Sequence, residues 1–202
     1  MKKITLACAL LASTFMASAS EADRLFGFSL TPDVVYGQGM VRPDGEHGKI
    51  INRDLLMDVY TPTNVTSDEP LPAVIYIPGG GHHRGGKFLD AFRIGGAIQS
   101  SPQEYGRHFA AEGYKTFVIE YRLAPEWPET SNKPGEVNLR DDLDVYVDDM
   151  MLHGVARART ALGLETPEGL EGKLTIWKAG VAGAEDAVTA VNFLIDNAEK
   201  LN

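Results

Sequence analysis

The sequence contains a single cysteine, Cys8, and it lies within the first twenty residues. One thiol cannot form an intrachain disulfide or a metal site built from several cysteines. If the first residues are removed on export, the remaining chain also has no thiol nucleophile. Cysteine chemistry is therefore excluded from the function of the mature chain.

Basic side chains are outnumbered by acidic ones, with 19 Lys and Arg against 28 Asp and Glu and a formal net charge of −9. This excess argues against nucleic acid or an anionic membrane surface as the partner, and favours a neutral or cationic small molecule. Because the chain has 202 residues and 44% of them are hydrophobic, it can bury a core of its own. We expect one domain.

The first nineteen residues have the layout of a secretory signal peptide. Lys2 and Lys3 precede an apolar stretch over residues 4–16, and small residues follow as far as Ala19. The apolar stretch is too short to span a bilayer, and no membrane span is expected. We predict a signal peptide over residues 1–19, cleavage after Ala19, and a secreted or periplasmic mature chain over residues 20–202.

Two segments after this leader have the pattern of β-strands, "DVVYGQGMV" at residues 33–41 and "RDLLMDVYTP" at residues 53–62. In the second segment, Leu55, Met57 and Val59 alternate with Leu56, Asp58 and Tyr60. Glycine, proline and aspartate punctuate both segments.

A β-α-β unit follows. The continuous apolar run "AVIYI" at residues 73–77 is typical of a strand covered on both faces in a parallel sheet, and "KTFVIEYRL" at residues 115–123 is a second buried strand. Between them, residues 101–104 form a capping box that starts a helix ending near Gly113. The two strands should be parallel, with a right-handed crossover.

The end of the chain predicts an amphipathic helix that packs one face onto the sheet. The apolar stripe consists of Ala187, Val188, Val191, Leu194, Ile195, Ala198 and Leu201. The opposite, polar face consists of Asp186, Thr189, Asn192, Asp196 and Lys200. Residues 123–180 are predicted as an irregular and helical insertion, with a helix from about Leu139 to Leu162, an acidic solvated face, and an irregular loop beyond it.

The stretch "AVIYIPGGGHHRGGK", residues 73–87, places a glycine run directly behind a strand. Glycine lets a backbone approach a ligand closely and present its N–H groups, which a Cβ would obstruct. Alternatively, the run turns the chain or cradles a phosphate. A phosphate loop of the Walker type needs Gly-Lys-Ser/Thr, whereas Gly86 and Lys87 are followed by Phe88.

In this order, the strand, the glycine run, the helix, a strand ending in "YRLAPE" and the final "EDAVTAVNFLIDNAEKLN" resemble the esterase/lipase branch of the α/β-hydrolase family, which includes hormone-sensitive-lipase-like and carboxylesterase-like enzymes. The resemblance covers residues 34–202. It implies an α/β-hydrolase-type sheet flanked by helices, a small-molecule ester as substrate, and no cofactor or metal.

In that family a His-Gly-Gly-Gly motif after the third strand supplies oxyanion-hole N–H groups. Here Pro78 stands in place of the histidine and is followed by Gly79, Gly80 and Gly81. The resemblance therefore implies an oxyanion hole formed by Gly80 and Gly81, with Gly79 in support.

The catalytic residues of such an enzyme are missing from the sequence. Ester hydrolysis on this fold needs a serine in G-x-S-x-G, then an acid and a histidine, in that chain order. None of the serines after the leader has that context: Ser20, Ser29, Ser67, Ser100, Ser101 and Ser131. We expect the chain to be the N-terminal part of a longer hydrolase, ending before the nucleophile elbow and inactive alone.

Other candidate residues favour structural roles. His82 and His83 are adjacent, so they should face opposite ways, and no carboxylate joins them at a zinc-binding spacing. We expect exposed loop histidines rather than a metal site. At the end of the second strand, Glu120 and Arg122 favour a structural ion pair.

Two hypotheses about function remain. One is a secreted carboxylic-ester hydrolase represented by its oxyanion-hole half, and the alternative is a non-catalytic secreted binding protein that keeps the hydrolase-like sheet. In the family, the strand carrying the nucleophile lies beside the strand "AVIYI". Its absence would leave an exposed sheet edge, through which the chain is expected to self-associate.

Overall fold

The computed structural model describes residues 26–65, 70–94, 96–131 and 147–201. The elements follow in this order: β1 (Gly27–Val41), β2 (Ile51–Thr63), β3 (Ala73–Tyr76), β4 (Phe92–Ile94), β5 (Ala97–Gln99), α1 (Pro102–Ala111), β6 (Lys115–Ile119), a 3-10 turn (Ala124–Glu126), α2 (Asp149–Ala161), α3 (Gly169–Asp196) and α4 (Ala198–Leu201). The predicted signal peptide lies outside the described residues.

The main sheet is mixed, with its four strands in the order β1-β2-β6-β3. β2 is antiparallel to β1 and β6, whereas β3 is parallel to β6. The predicted β-α-β unit is therefore confirmed, and the β4–β5 hairpin lies in its crossover before α1. Helices flank the sheet, so the fold is of the α/β class with a partly parallel sheet.

The alternation in β2 separates the two faces of the sheet. Leu55 and Met57 pack in one apolar cluster with Ala190 of α3, whereas Tyr60 packs with Ala110 of α1 in another. Leu55, Met57 and Val59 are buried on one face, and Asp58 and Tyr60 are buried on the other, because a helix lies on each face.

The start of α1 follows its sequence signal. The Ser101 side chain accepts a hydrogen bond from the Glu104 N–H at 3.3 Å, and Pro102 occupies the first turn. This confirms the predicted helix start and the Ser101 half of the predicted capping box.

β3 is less buried than its continuous apolar run predicts. Ala73 is exposed, the other residues of β3 are half-buried, and Ile77 is 50% exposed. Among the described strands only β6 pairs with β3, so β3 forms an edge of the sheet. The prediction of a strand covered on both faces is wrong for β3, and β6 has that property instead.

α3 begins much earlier than predicted. Residues 169–180, expected to be an irregular loop, are helical from Gly169 onward. α2 occupies the second part of the predicted helix Leu139–Leu162, and residues 139–146 lie outside the described residues. Gly172 in this part of α3 allows close packing, because a Cβ at this position would lie 2.8 Å from Cδ2 of Leu152.

The buried face of α3 also differs from the predicted stripe. The buried positions are Gly172, Thr175, Ile176, Ala179, Ala182, Gly183, Asp186 and Ala190. Val188, Val191 and Ile195, predicted to pack on the sheet, are exposed. Small residues replace them because α3 approaches its neighbours closely. In the described ranges, no helix combines the length and apolar character needed to cross a membrane.

Asp186, predicted on the polar face of this helix, is buried because it pairs with Arg122. Its carboxylate accepts hydrogen bonds from the Arg122 backbone N–H at 2.8 Å and from Nη2 at 2.7 Å. The guanidinium also donates to Glu185 at 3.1 Å and to the carbonyl oxygens of Met40 and Glu129. The predicted structural ion pair at Arg122 is confirmed, and it joins α3 to β1 and to the segment after β6.

Replacement of Asp186 by asparagine should destabilise the fold, because it leaves the charge of Arg122 buried without its main partner. We expect the free energy of unfolding to fall by about 3 kcal/mol in urea denaturation. Asp196→Asn, at an exposed position of the same helix, is the matched control and should change it by less than about 0.5 kcal/mol. Equal effects of the two substitutions would contradict this assignment.

Candidate functional site

The glycine run forms a loop between β3 and Lys87, which we call the glycine loop (residues 77–86). Its φ angles are positive at Gly80 (151°), Gly81 (60°) and His82 (58°). A Cβ on Gly80 would lie 2.0 Å from the carbonyl oxygen of Arg84. Glycine is therefore required at position 80 by both the backbone angle and the close approach.

The first half of the glycine loop is held by the segment that follows β6. The Tyr121 hydroxyl donates to the carbonyl oxygen of Pro78 at 2.7 Å, and the Ala124 N–H donates to the carbonyl oxygen of His82 at 2.8 Å. Both donors belong to the "YRLAPE" motif. Pro78, which stands where the resemblance implies a histidine, thus takes part in bracing the loop through its carbonyl group.

A cleft of about 330 Å³ lies beside the loop, at the carboxyl end of β3. It is lined by Tyr76, Gly79, Gly80, Leu89, Phe92, Gln99, Ser100 and Pro102. Among the described residues, no acceptor is bonded to the N–H groups of Gly79, Gly80 or Gly81. Gly79 and Gly80, two residues that line this cleft, therefore have N–H groups with no acceptor among the described residues.

Gly81, which was predicted to form the oxyanion hole together with Gly80, is not among the residues that line the cleft. A Cβ on Gly81 would lie 3.0 Å from Cε of Met151 in α2. The structure thus brings Gly79 and Gly80 together at the cleft and places Gly81 against α2.

The cleft walls are mainly apolar and aromatic. Tyr76 stacks on Tyr105 with ring centroids 4.7 Å apart, and the Gln99 side-chain amide donates to the Tyr105 hydroxyl at 2.8 Å. Burial, with a smaller contribution from Tyr105, raises the pKa of Tyr76 to about 12. The Tyr76 phenol is therefore protonated at neutral pH and offers no base.

Ser100 also lines the cleft, although it was not predicted as a site residue. It directly precedes the Ser101 cap of α1, so it lies at a helix start rather than in a G-x-S-x-G elbow. The described residues lining the cleft include no carboxylate and no imidazole. A signal for Ser100 did exist: it starts the crossover helix of a β-α-β unit, where sites of α/β folds collect.

The two histidines of the loop face opposite ways, as expected, but the expectation that they are exposed is wrong. His82 packs against Tyr121 and lies 3.6 Å from where a Cβ on Gly180 of α3 would be. His83 is 8% exposed and packs on Gly154 of α2. Gly154 leaves the space for the His83 ring, because a Cβ at this position would lie 2.1 Å from Cδ2 of His83. In the described part of the chain, no three His, Cys, Asp or Glu residues form a group that could hold a metal ion.

A second cleft, of about 290 Å³, adjoins Gly85 and Gly86. Arg53 lies in it and donates to Glu120 and to Glu126, at 3.1 Å in each case. Burial raises the pKa of Glu126 even though the charge of Arg53 opposes the shift. The predicted structural ion pair at Glu120 is thus confirmed, with Arg53 as its partner.

Comparisons of the chain with models of protein families, with curated proteins and with solved structures found no match. The glycine loop and the cleft beside it are therefore the features that bear on function.

The stability of the protein should depend on pH through His82. Burial and the neighbouring His83 lower the pKa of His82, and its Nδ1 is buried without a hydrogen-bond partner among the described residues. The unfolded chain therefore binds this proton at a higher pH than the folded chain. The free energy of unfolding should fall as the pH drops below about 6.5 and approaches the lowered folded pKa.

Urea denaturation between pH 7.5 and 5.5 measures this dependence. His82→Gln should reduce the slope without abolishing it, because burial also lowers the pKa of His83. His153→Gln, at an exposed position of α2, controls for the loss of a histidine outside the loop. A slope in His82→Gln equal to that of the parent protein would contradict the prediction.

Proposed function

We propose that the chain supplies the oxyanion-hole part of a secreted carboxylic-ester hydrolase of the α/β-hydrolase type. The observation that carries the proposal is the pair of residues Gly79 and Gly80, which line a cleft while their N–H groups have no acceptor among the described residues. Fixed backbone donors of this kind stabilise the negative oxygen of a tetrahedral intermediate in acyl transfer.

The cleft fits a small neutral ester. Leu89, Phe92 and Pro102 give it apolar walls, and none of its described lining residues is charged at neutral pH. The Gln99 amide and the Ser100 hydroxyl can form hydrogen bonds with ester oxygens. Its volume of about 330 Å³ lies in the range of small-molecule sites.

The nucleophile, the acid and the base are proposed to come from residues outside these 202. The Ser100 hydroxyl has no base among the described residues of its cleft, so it stays protonated and is a poor nucleophile. Oxyanion donors lower a barrier only when a nucleophile attacks the carbonyl group beside them. We therefore expect the chain alone to be inactive as an esterase.

The same observation favours one alternative, a non-catalytic secreted binding protein. A cleft with amide donors and no base can hold a carbonyl or carboxylate group without transforming it. The two functions differ in the shape of the ligand that the backbone N–H groups bind more tightly. An oxyanion hole binds a tetrahedral anion more tightly than a planar one.

The chain should not hydrolyse p-nitrophenyl acetate faster than buffer does, yet it should bind a small alkylphosphonate monoester, which mimics the tetrahedral intermediate. In ¹H–¹⁵N spectra, the amide signals of Gly79 and Gly80 should shift and saturate. No atom lies within 4 Å of a Cβ on Gly79, so Gly79→Val is accommodated and should fill part of the cleft. We expect it to weaken binding about tenfold or more.

Ala161→Val, at the exposed end of α2, is the matched control and should bind the phosphonate like the parent protein. Equal affinity for acetate and the phosphonate at these amides would favour the binding protein. Burst kinetics with covalent labelling of a serine would refute the proposed division of catalytic residues, and unshifted Gly79 and Gly80 signals would refute the oxyanion role.

We also propose that copies of the chain associate through β3. Among the described strands it pairs on one side only, and Ala73 and Ile77 are exposed along it. An unpaired strand edge offers N–H and C=O groups to another strand.

Lysine on an edge strand opposes such pairing, so Ala73→Lys should lower the association constant measured by sedimentation velocity. Ala161→Lys makes the same substitution away from the sheet and should leave association unchanged. A parent protein that stays monomeric over a wide range of concentrations would count against this proposal.

A further inference from the structure

Lys87 directly follows the glycine loop, and its side chain is fully buried. Nζ donates to Oδ1 of Asp58 at 2.6 Å and also to a carboxylate oxygen of Asp33. Burial alone would lower the pKa of Lys87, but hydrogen bonds and the negative charges of Asp33 and Asp58 outweigh it and raise the pKa. The ammonium group is therefore charged, and it is bonded to both carboxylates.

Asp58 gives this ammonium a rigid partner. It lies within β2, is paired across the sheet with Val118 of β6, and is 3% exposed. Its Oδ1 also accepts the Asp33 N–H at 3.2 Å. Asp33 lies where the β1–β2 register shifts and has a φ of 56°. The Lys87 side chain thus connects the end of the glycine loop to the sheet through two strands.

The glycine loop has few hydrogen bonds of its own. Among the described residues, the Arg84 N–H donates to the Gly80 carbonyl at 3.4 Å, a long hydrogen bond, and Nδ1 of His83 lies 3.2 Å from the Gly81 carbonyl oxygen. Tyr121 and Ala124 hold its first half from outside, as described above. At the other end, Lys87 is buried and bonded to the sheet. The position of the loop therefore depends on contacts with other elements at both of its ends.

We propose that the ion pair of Lys87 with Asp58, here called the tether, sets the position of the glycine loop, and that Lys87 is a positioning residue for the N–H groups of Gly79 and Gly80. The second half of this statement rests on the proposed oxyanion function, whereas the tether itself does not. The same geometry argues against a role for Lys87 in phosphate binding, since its ammonium group is already paired with both carboxylates.

A double substitution separates the tether from the general stability of the fold. Lys87→Met alone leaves the Asp58 charge buried without its cation and should destabilise the whole protein. Lys87→Met with Asp58→Asn removes both charges and keeps an oxygen at position 58 that can accept the Asp33 N–H. Its unfolding transition should therefore lie close to that of the parent protein.

Amide hydrogen exchange then reports on the loop directly. In the double variant, the Arg84 amide, which donates to the Gly80 carbonyl, should exchange about tenfold faster or more, while the amides of β6 should match the parent protein. The control is Arg42→Met with Glu129→Gln, which removes another ion pair, of 2.5 Å, between Arg42 and Glu129. It should leave exchange in the glycine loop unchanged. Unchanged loop exchange in the double variant, or an increase equal to that in β6, would overturn the tether.

Phosphonate binding measured on the same double variant tests the second half of the proposal. Faster loop exchange with at least about fivefold weaker binding supports Lys87 as a positioning residue. Faster loop exchange with unchanged binding keeps the tether and overturns the positioning role. If the parent protein itself does not bind the phosphonate, the proposed function fails while the exchange data still decide the tether.

Discussion

The buried guanidinium of Arg122 is the contact on which the arrangement of helix, sheet and loop depends. Its donors reach Asp186 and Glu185 of α3, the Met40 carbonyl of β1 and the Glu129 carbonyl beyond β6. An arginine with its charge paired and its donors used can be buried at an acceptable cost. Because Tyr121 and Ala124 lie on either side of Arg122 in the chain and both bind the glycine loop, this ion pair also fixes the segment that holds the loop.

The loop conformation follows from these outside contacts rather than from bonds within the loop. Positive φ angles at Gly80 and Gly81 carry little steric cost for glycine, but they also carry no preference for this one conformation. Tyr121 and Ala124 at one end and the tether at the other select it. One consequence is that the N–H groups of Gly79 and Gly80 are not needed to close a turn, and they remain without an acceptor among the described residues.

Signals carried by neighbouring residues predicted the helix cap at Ser101 and the alternation in β2. They missed the helical residues 169–180, which were expected to be an irregular loop. Asp186 was assigned to the wrong face because its partner Arg122 lies 64 positions away. The histidines of the loop were expected in solvent, since nothing local shows that His83 packs on Gly154 of α2 and His82 on Tyr121. Gly79 and Gly80 could be selected from the sequence, whereas the cleft wall at Ser100 requires the β4–β5 hairpin and α1 to be in place.

The distribution of charge around the loop bears on the chemistry that its amides can perform. Lys87 is paired with two carboxylates, and Arg53 is paired with Glu120 and Glu126 in the cleft at Gly85 and Gly86. Arg84 of the loop lies over the ring of Phe92, with its guanidinium carbon 4.5 Å from the ring centroid. The cleft at Gly79 and Gly80 has no charged group among its described lining residues. A free ammonium group in this cleft would attract any ligand that is already an anion before it reacts. Amide dipoles act only over a short range, on negative charge that develops on a neighbouring atom during a reaction. Because the Lys87 ammonium group is neutralised by its carboxylate partners, the proposed tether adds no free cation to the cleft, which is consistent with the proposed oxyanion role of its amides.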